Sequence, residues 1–176
     1  SATRIHTRSR TALPPGFQRQ HFRVEAGACL EVQPELLIPQ RKSAFVQKTV
    51  IELADGASLY FAELLAPGRV AHGESLCFDS LDLRVVIKAE GRPVVQERLR
   101  VDTEDTMWKL RDAAGEAQFT ATFYLRLPGL EKQLLQQVRQ VIAETHQVTA
   151  GATQVSEGLV LVRAIAPAAL ELRELN

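Results

Sequence analysis

The sequence predicts a mainly β protein with a few helices. A β-helix-like body of stacked β repeats is expected over residues 20–126, and a C-terminal α+β segment of helix, strand and helix over 127–176, within one domain spanning 1–176. Three observations predict it. Gly27-Ala28-Cys29-Leu30 returns as Gly56-Ala57-Ser58-Leu59, 29 residues further on. Leu81, Leu83, Val85 and Ile87 alternate with Asp82, Arg84 and Val86, the period-two pattern of a half-buried strand. After Pro128-Gly129 the period changes, and Leu130, Leu134, Val138, Val141, Ile142 and Thr145 recur at helical spacing.

Composition sets the outer limits. A chain of 176 residues, 45% hydrophobic and 24% charged, suffices for one globular core. Lys and Arg number 21 and so do Asp and Glu, so no bulk charge points to nucleic acid or to a membrane. No apolar run reaches the length of a membrane span and no signal peptide is visible, which fits a cytoplasmic setting. Two cysteines are too few for a disulfide framework or a thiolate zinc site. Cys29 and Cys77 sit in strand-like apolar runs and are expected to be buried and reduced.

Each element has its own warrant. In the head, Arg4, His6, Arg8 and Arg10 occupy alternate positions, which in a strand share one face. They read as an anion-binding stripe or a solvated edge strand. Each repeat copy is then a β run, a Gly turn and a second β run. Phe22-Arg23-Val24 and Leu30-Glu31-Val32 flank the first turn; Val50-Ile51-Glu52-Leu53 and Leu59-Tyr60-Phe61 flank the second. A third copy is read around Gly91-Arg92-Pro93-Val94. Repeats of this length suggest units that bury one another's faces, as a solenoid or as a stacked sandwich. Asp102 to Glu116 is charge-rich and reads as a solvated loop anchored by Trp108. Phe119, Ala121, Phe123 and Leu125 alternate as a further strand. Beyond the helix, Gly151 opens a short connection. Leu159 to Val162 is apolar on both faces, hence a central strand. Pro167 suits the first turn of a last helix, 168–175.

The candidate chemistry lies between Glu63 and Glu74, read Glu-Leu-Leu-Ala-Pro-Gly-Arg-Val-Ala-His-Gly-Glu. Pro67-Gly68 predicts a type II turn, and Gly73 permits a second bend. Arg69 is expected to bridge Glu63 or Glu74 with its rigid fork. Such a pair either pins the turn or forms a polar site on a scaffold. For catalysis, His72, Glu74 and Cys77 are the nearest cluster, and they fall short of the ligand number a metal site needs. No phosphate loop, Gly-x-Ser-x-Gly or His-Glu-x-x-His occurs. Two enzymatic alternatives remain. A β-solenoid carbohydrate-active enzyme needs a carboxylate ladder, and the equivalent repeat positions hold Glu31, Tyr60 and Val95. A metal-dependent hydrolase would use His72 and Glu74.

Leu37-Ile38-Pro39, the Pro-Gly-Arg-x-Ala-x-Gly-Glu core of the Glu63–Glu74 stretch, and Gly158-Leu159 with Val162-Arg163 after a helix resemble the UreD (UreH) family of urease accessory proteins. The resemblance covers roughly 2–175 and implies further sequence before Ser1, with a Gly-rich opening. It implies a non-catalytic scaffold with a β-helical body and no tightly bound cofactor. Such a scaffold handles nickel transiently and acts with UreF-like and UreG-like accessory proteins on the urease apoprotein. Glu63, Arg69, Gly73 and Glu74 match the motif and become the expected nickel passage or partner site. His72 is not fixed in that motif and is only a weak metal candidate. Few His and Cys suit an ion handed on better than one stored, because N and S donors hold late divalent ions strongly.

Overall fold

The computed structural model describes residues 2–7, 13–33, 35–102, 119–156 and 158–173. Its strands are β1 (Ala2–Ile5), β2 (Gly16–Val24), β3 (Cys29–Val32), β4 (Leu36–Pro39), β5 (Ala44–Leu53), β6 (Ser58–Leu65), β7 (Ser80–Ala89), β8 (Arg92–Val101), β9 (Phe119–Arg126), β10 (Thr149–Ser156) and β11 (Leu159–Ala166). The helices are α1 (Glu131–Glu144) and α2 (Ala169–Arg173). The fold is thus mainly β with a few helices, as expected.

The 29-residue repeat is one rung of a parallel stack. Gly16 of β2 pairs with Phe45 of β5, and Cys29 of β3 with Ser58 of β6, both at that offset. Each rung therefore lays one strand in each of two sheets. Sheet B has the order β2-β5-β7-β8; sheet A has the order β1-β4-β6-β9-β11-β10, with β3 also on β6. The next rung is longer, since Ala44 of β5 pairs with Ser80 of β7. Its extra residues lie in 66–79, the stretch that carries the Pro-Gly-Arg motif.

The third repeat copy does not continue the stack. β8 turns back and pairs antiparallel with β7 inside sheet B. Glu90 and Gly91 both take positive φ, 50° and 77°, the two-residue turn that suits a hairpin's twist. Val95 therefore faces Ile87 in the hairpin rather than extending the Glu31–Tyr60 row.

Sheet A is the middle layer. Leu59, Phe61, Tyr124, Leu159 and Leu161 pack with Ile51, Val85 and Ile87 of sheet B. Ala62, Leu64, Phe123, Val160 and Val162 pack with Leu134 and Leu172 of the helices. β11 is accordingly buried on both faces from Leu159 to Val162. A second inter-sheet cluster holds Leu37, Phe45, Leu65, Phe78, Leu81, Leu83 and Val101. Leu81, Leu83, Val85 and Ile87 all face this interior, at 0–8% exposure.

Several local expectations change. β10 takes the place of the connection after Gly151. Its Ala and Gly carry little strand propensity, so pairing with β11 decides it. Helix α1 ends at Glu144 and buries Leu134, while Leu130 and Val141 stay 49% and 44% exposed. Cys29 is exposed and Cys77 half-buried, both free. In β3 it is Leu30 and Val32 that turn toward the core, which by the period of two puts Cys29 on the outer side. Of the head stripe, Arg4 and His6 are exposed on or beside the edge strand β1; Arg8 and Arg10 lie outside the described residues, as does Trp108.

Candidate functional site

The motif splits into two sites. The first is a clamp at the loop after β6. Pro67 and Gly68 are buried, and Gly68 has φ 147°, far from the type II value, so the expected turn is replaced by a wider bend. A Cβ on Gly68 would stand 2.6 Å from the carbonyl oxygen of Glu74. Glycine is thus required by close backbone approach. Val70–His72 form one 3-10 turn, ended by Gly73 at φ 69°, whose N–H donates to the Val70 carbonyl at 2.9 Å. The Leu76 N–H closes the whole loop onto the Pro67 carbonyl at 2.6 Å.

Glu74 sits at the centre of this loop and is 7% exposed. Arg69 Nε donates to Oε2 at 2.8 Å and Nη2 to Oε1 at 2.5 Å, a bidentate fork. The Arg41 backbone N–H donates to Oε2 at 3.3 Å, and the Arg41 guanidinium lies 3.7 Å from Oε1. The Arg69 hydrogen bonds, opposed by desolvation and helped by Arg41, hold the Glu74 carboxyl at about 2. Arg69 thus selects Glu74 of its two expected partners. Both Glu74 oxygens are engaged by cations or N–H groups, which leaves a poor ligand for a metal ion.

Glu63 is the second site. It lies on β6 between Phe61 and Leu65, the inter-sheet face of that strand. The Gln47 side-chain amide donates to its Oε1 at 2.6 Å. Burial pushes the carboxyl up to about 7, the Gln47 bond opposes this, and the Glu97 charge adds to it. Glu63 lines a cavity of about 360 Å³ with Thr3, Gln18, Gln20, Gln47 and Glu35.

These residues belong to a polar belt between the two apolar inter-sheet clusters. In sheet A, Glu63, Thr122 and Arg163 stand in one cross-strand row. In sheet B the corresponding row is Gln20, Thr49, Val85 and Glu97. Thr49 donates to Gln20 at 3.0 Å, and Arg163 forms an ion pair with Glu97 at the far end. Tyr124 lies on the same face of β9 as Thr122, two residues along, and burial first, then the charges of Glu63 and Glu97, push its phenol upward. Sequence reasoning found Glu63 and missed the rest. The signal was present: Gln18, Gln20, Gln47 and Thr49 stand on the core-facing parity of strands that also place Phe22, Val24, Phe45, Ile51 and Leu53 there.

His72 is exposed and lines a shallow cavity with Arg4, His6, Arg69 and Phe119. Among the described residues no group of three or more His, Cys, Asp or Glu is placed to hold a metal ion. Glu31 pairs with Tyr60 across the rungs, so no carboxylate ladder forms there. Among the described residues no helix is long and apolar enough to cross a membrane.

Comparison with known proteins accords with the motif. The family model described as UreD urease accessory protein matches residues 1–176. A urease accessory protein UreD of Opitutus terrae is 35% identical over 158 residues, covering 89% of this chain and 57% of that protein. One from Halalkalibacterium halodurans is 28% identical over 173 residues, covering 98% and 62%. One from Alkalilimnicola ehrlichii is 32% identical over 165 residues, covering 90% and 53%. The chain thus spans less than two thirds of the length of these relatives. It belongs to the UreD family of urease accessory proteins.

Proposed function

We propose that the chain is a non-catalytic scaffold in urease metallocentre assembly, which passes nickel toward the urease apoprotein together with UreF-like and UreG-like partners in the cytoplasm. The observation that carries this reading is the polar belt between the sheets, with Glu63 on it. A carboxyl flanked by amides and hydroxyls offers a divalent ion oxygen donors only, which favour release over the tight hold of imidazole or thiolate. With its carboxyl near 7, Glu63 meets an arriving cation partly protonated, so binding nickel displaces a proton and remains weak. In this reading Glu63 contacts the ion, while Arg69, Gly73 and Glu74 hold the loop that frames one end of the sandwich.

The test compares Glu63→Gln with Glu74→Gln in cells, reading urease activity, urease nickel content, the melting curve and retention of a UreF-like partner. Glu63→Gln is expected to lower activity and nickel content severalfold while folding and partner binding survive. Glu74→Gln is expected to lower stability and activation together. Full activation with Glu63→Gln would remove Glu63 from the nickel route.

A further inference from the structure

The outer face of sheet B carries an uncommon charge pattern for a protein of zero formal net charge. Arg19 of β2 pairs in register with Lys48 of β5, Lys48 with Arg84 of β7, and Arg84 with Arg98 of β8. Four cations therefore stand in one row across all four strands. The inward neighbours Leu83 and Val85 are core residues, so by the period of two the row faces outward. Strands lie about 4.8 Å apart, and the row is about 14 Å long.

Like charges directly opposite one another destabilise a sheet. The row is also more than edge protection, because β5 and β7 are the inner strands, where no edge needs guarding. One carboxylate partly offsets it. Asp82 accepts from Arg84 at 3.0 and 2.6 Å and from Arg98 at 2.9 and 3.0 Å. Among the described residues no carboxylate pairs with Arg19 or Lys48; Lys48 Nζ instead lies 5.8 Å from the Phe17 ring centroid, and Phe17 is 57% exposed. The described helices pack on sheet A and not on this face.

We propose that the Arg19–Lys48–Arg84–Arg98 row is a docking site for an acidic helix of a protein partner, laid across the strands. A helix with Glu or Asp at i, i+4 and i+7 presents carboxylates about 5–6 Å apart, close to the strand spacing. Asp82 in the adjoining outward row and Glu52 two rows to the other side disfavour a continuous polyanion, while exposed Phe17 and half-buried Val46, Val50 and Val86 offer the apolar contacts of a protein surface. This goes beyond the nickel-transfer reading and is independent of it, since it concerns the opposite face of sheet B from Glu63.

The test uses the full chain and its Arg19→Gln/Lys48→Gln variant, which leaves the Asp82 pairs intact. The probes are a stapled helical peptide with Glu at the stated spacing, oligo(dT) of equal charge and phosphatidylserine vesicles. The peptide is expected to bind the wild-type chain best, to weaken as salt rises, and to lose about tenfold in affinity against the variant, whose melting temperature is not lowered. Equal peptide affinity for both proteins would overturn the proposal. So would oligo(dT) or vesicles binding as tightly as the peptide, which would mark a general polyanion or lipid surface.

Discussion

Glu63 and Glu74 come from one motif, eleven positions apart in the chain, and the fold drives their chemistry in opposite directions. Glu74 is set among cations and N–H donors and is held at about 2; Glu63 is set among amides and apolar side chains and is pushed up to about 7. Net burial alone does not separate them, since both are largely removed from solvent. The difference is whether charged partners came with the burial. A carboxylate with a bidentate arginine is a structural tie. One with a single amide donor keeps its capacity to exchange a proton or a cation.

That contrast can be broken at its frame. Gly68→Ala places a Cβ 2.6 Å from the Glu74 carbonyl oxygen, at a φ that favours glycine. The expected loss is about 2–4 kcal/mol, read as a large fall in melting temperature and in soluble protein. A melting curve like the wild type would show that the loop tolerates opening and that Glu74 is not fixed by backbone contact.

Glu63 yields an effect of nearly that size with the opposite sign. Its folded value, about 7, lies above the ordinary glutamate value of 4.5, so between the two the folded state binds more protons than the unfolded state. Stability conferred by the protonated form is present below about 4.5 and is lost as pH rises through about 7. Glu63→Gln removes that loss, so at neutral pH the variant is expected to be the more stable protein, by up to about 3 kcal/mol. Chemical denaturation at pH 5 and pH 8 measures it. A wild type whose stability does not fall over this interval would show Glu63 to be solvated or paired.

Glu74 titrates the other way. Its folded value lies below the unfolded one, so its contribution is present above about 4.5 and is lost as pH falls toward about 2. Arg69→Ala is expected to lower the melting temperature at neutral pH and to flatten this acid limb, leaving Arg41 as the remaining cation. An unchanged acid limb would transfer the tie from Arg69 to Arg41. The smallest effect belongs to Cys29, exposed on the short strand β3. Cys29→Ala is expected to shift stability by less than about 0.5 kcal/mol and to leave urease activation intact. A larger change by either measurement would give that thiol a role outside packing.

The sequence by itself determined the rung. A 29-residue repeat of β run, Gly turn and β run marks stacked units of that length, and β2–β5 and β3–β6 pair in parallel at that offset. It also determined the two-faced burial of β11 and the inward row of β7, because the period of two is a local property of an extended chain. Tertiary structure decided the rest. Copy three looked like another rung and became a hairpin, since the sheet a strand joins depends on the turn's handedness and on the partner it meets. Cys29 and Cys77 looked like core residues because a short apolar run does not reveal which face is buried. Arg69 had two carboxylates within reach of its sequence, and only the fold placed Glu63 between the sheets and Glu74 under the loop. The cation row on sheet B is invisible along the chain for the same reason: its four members are spread over 19–98 and become neighbours only through strand register.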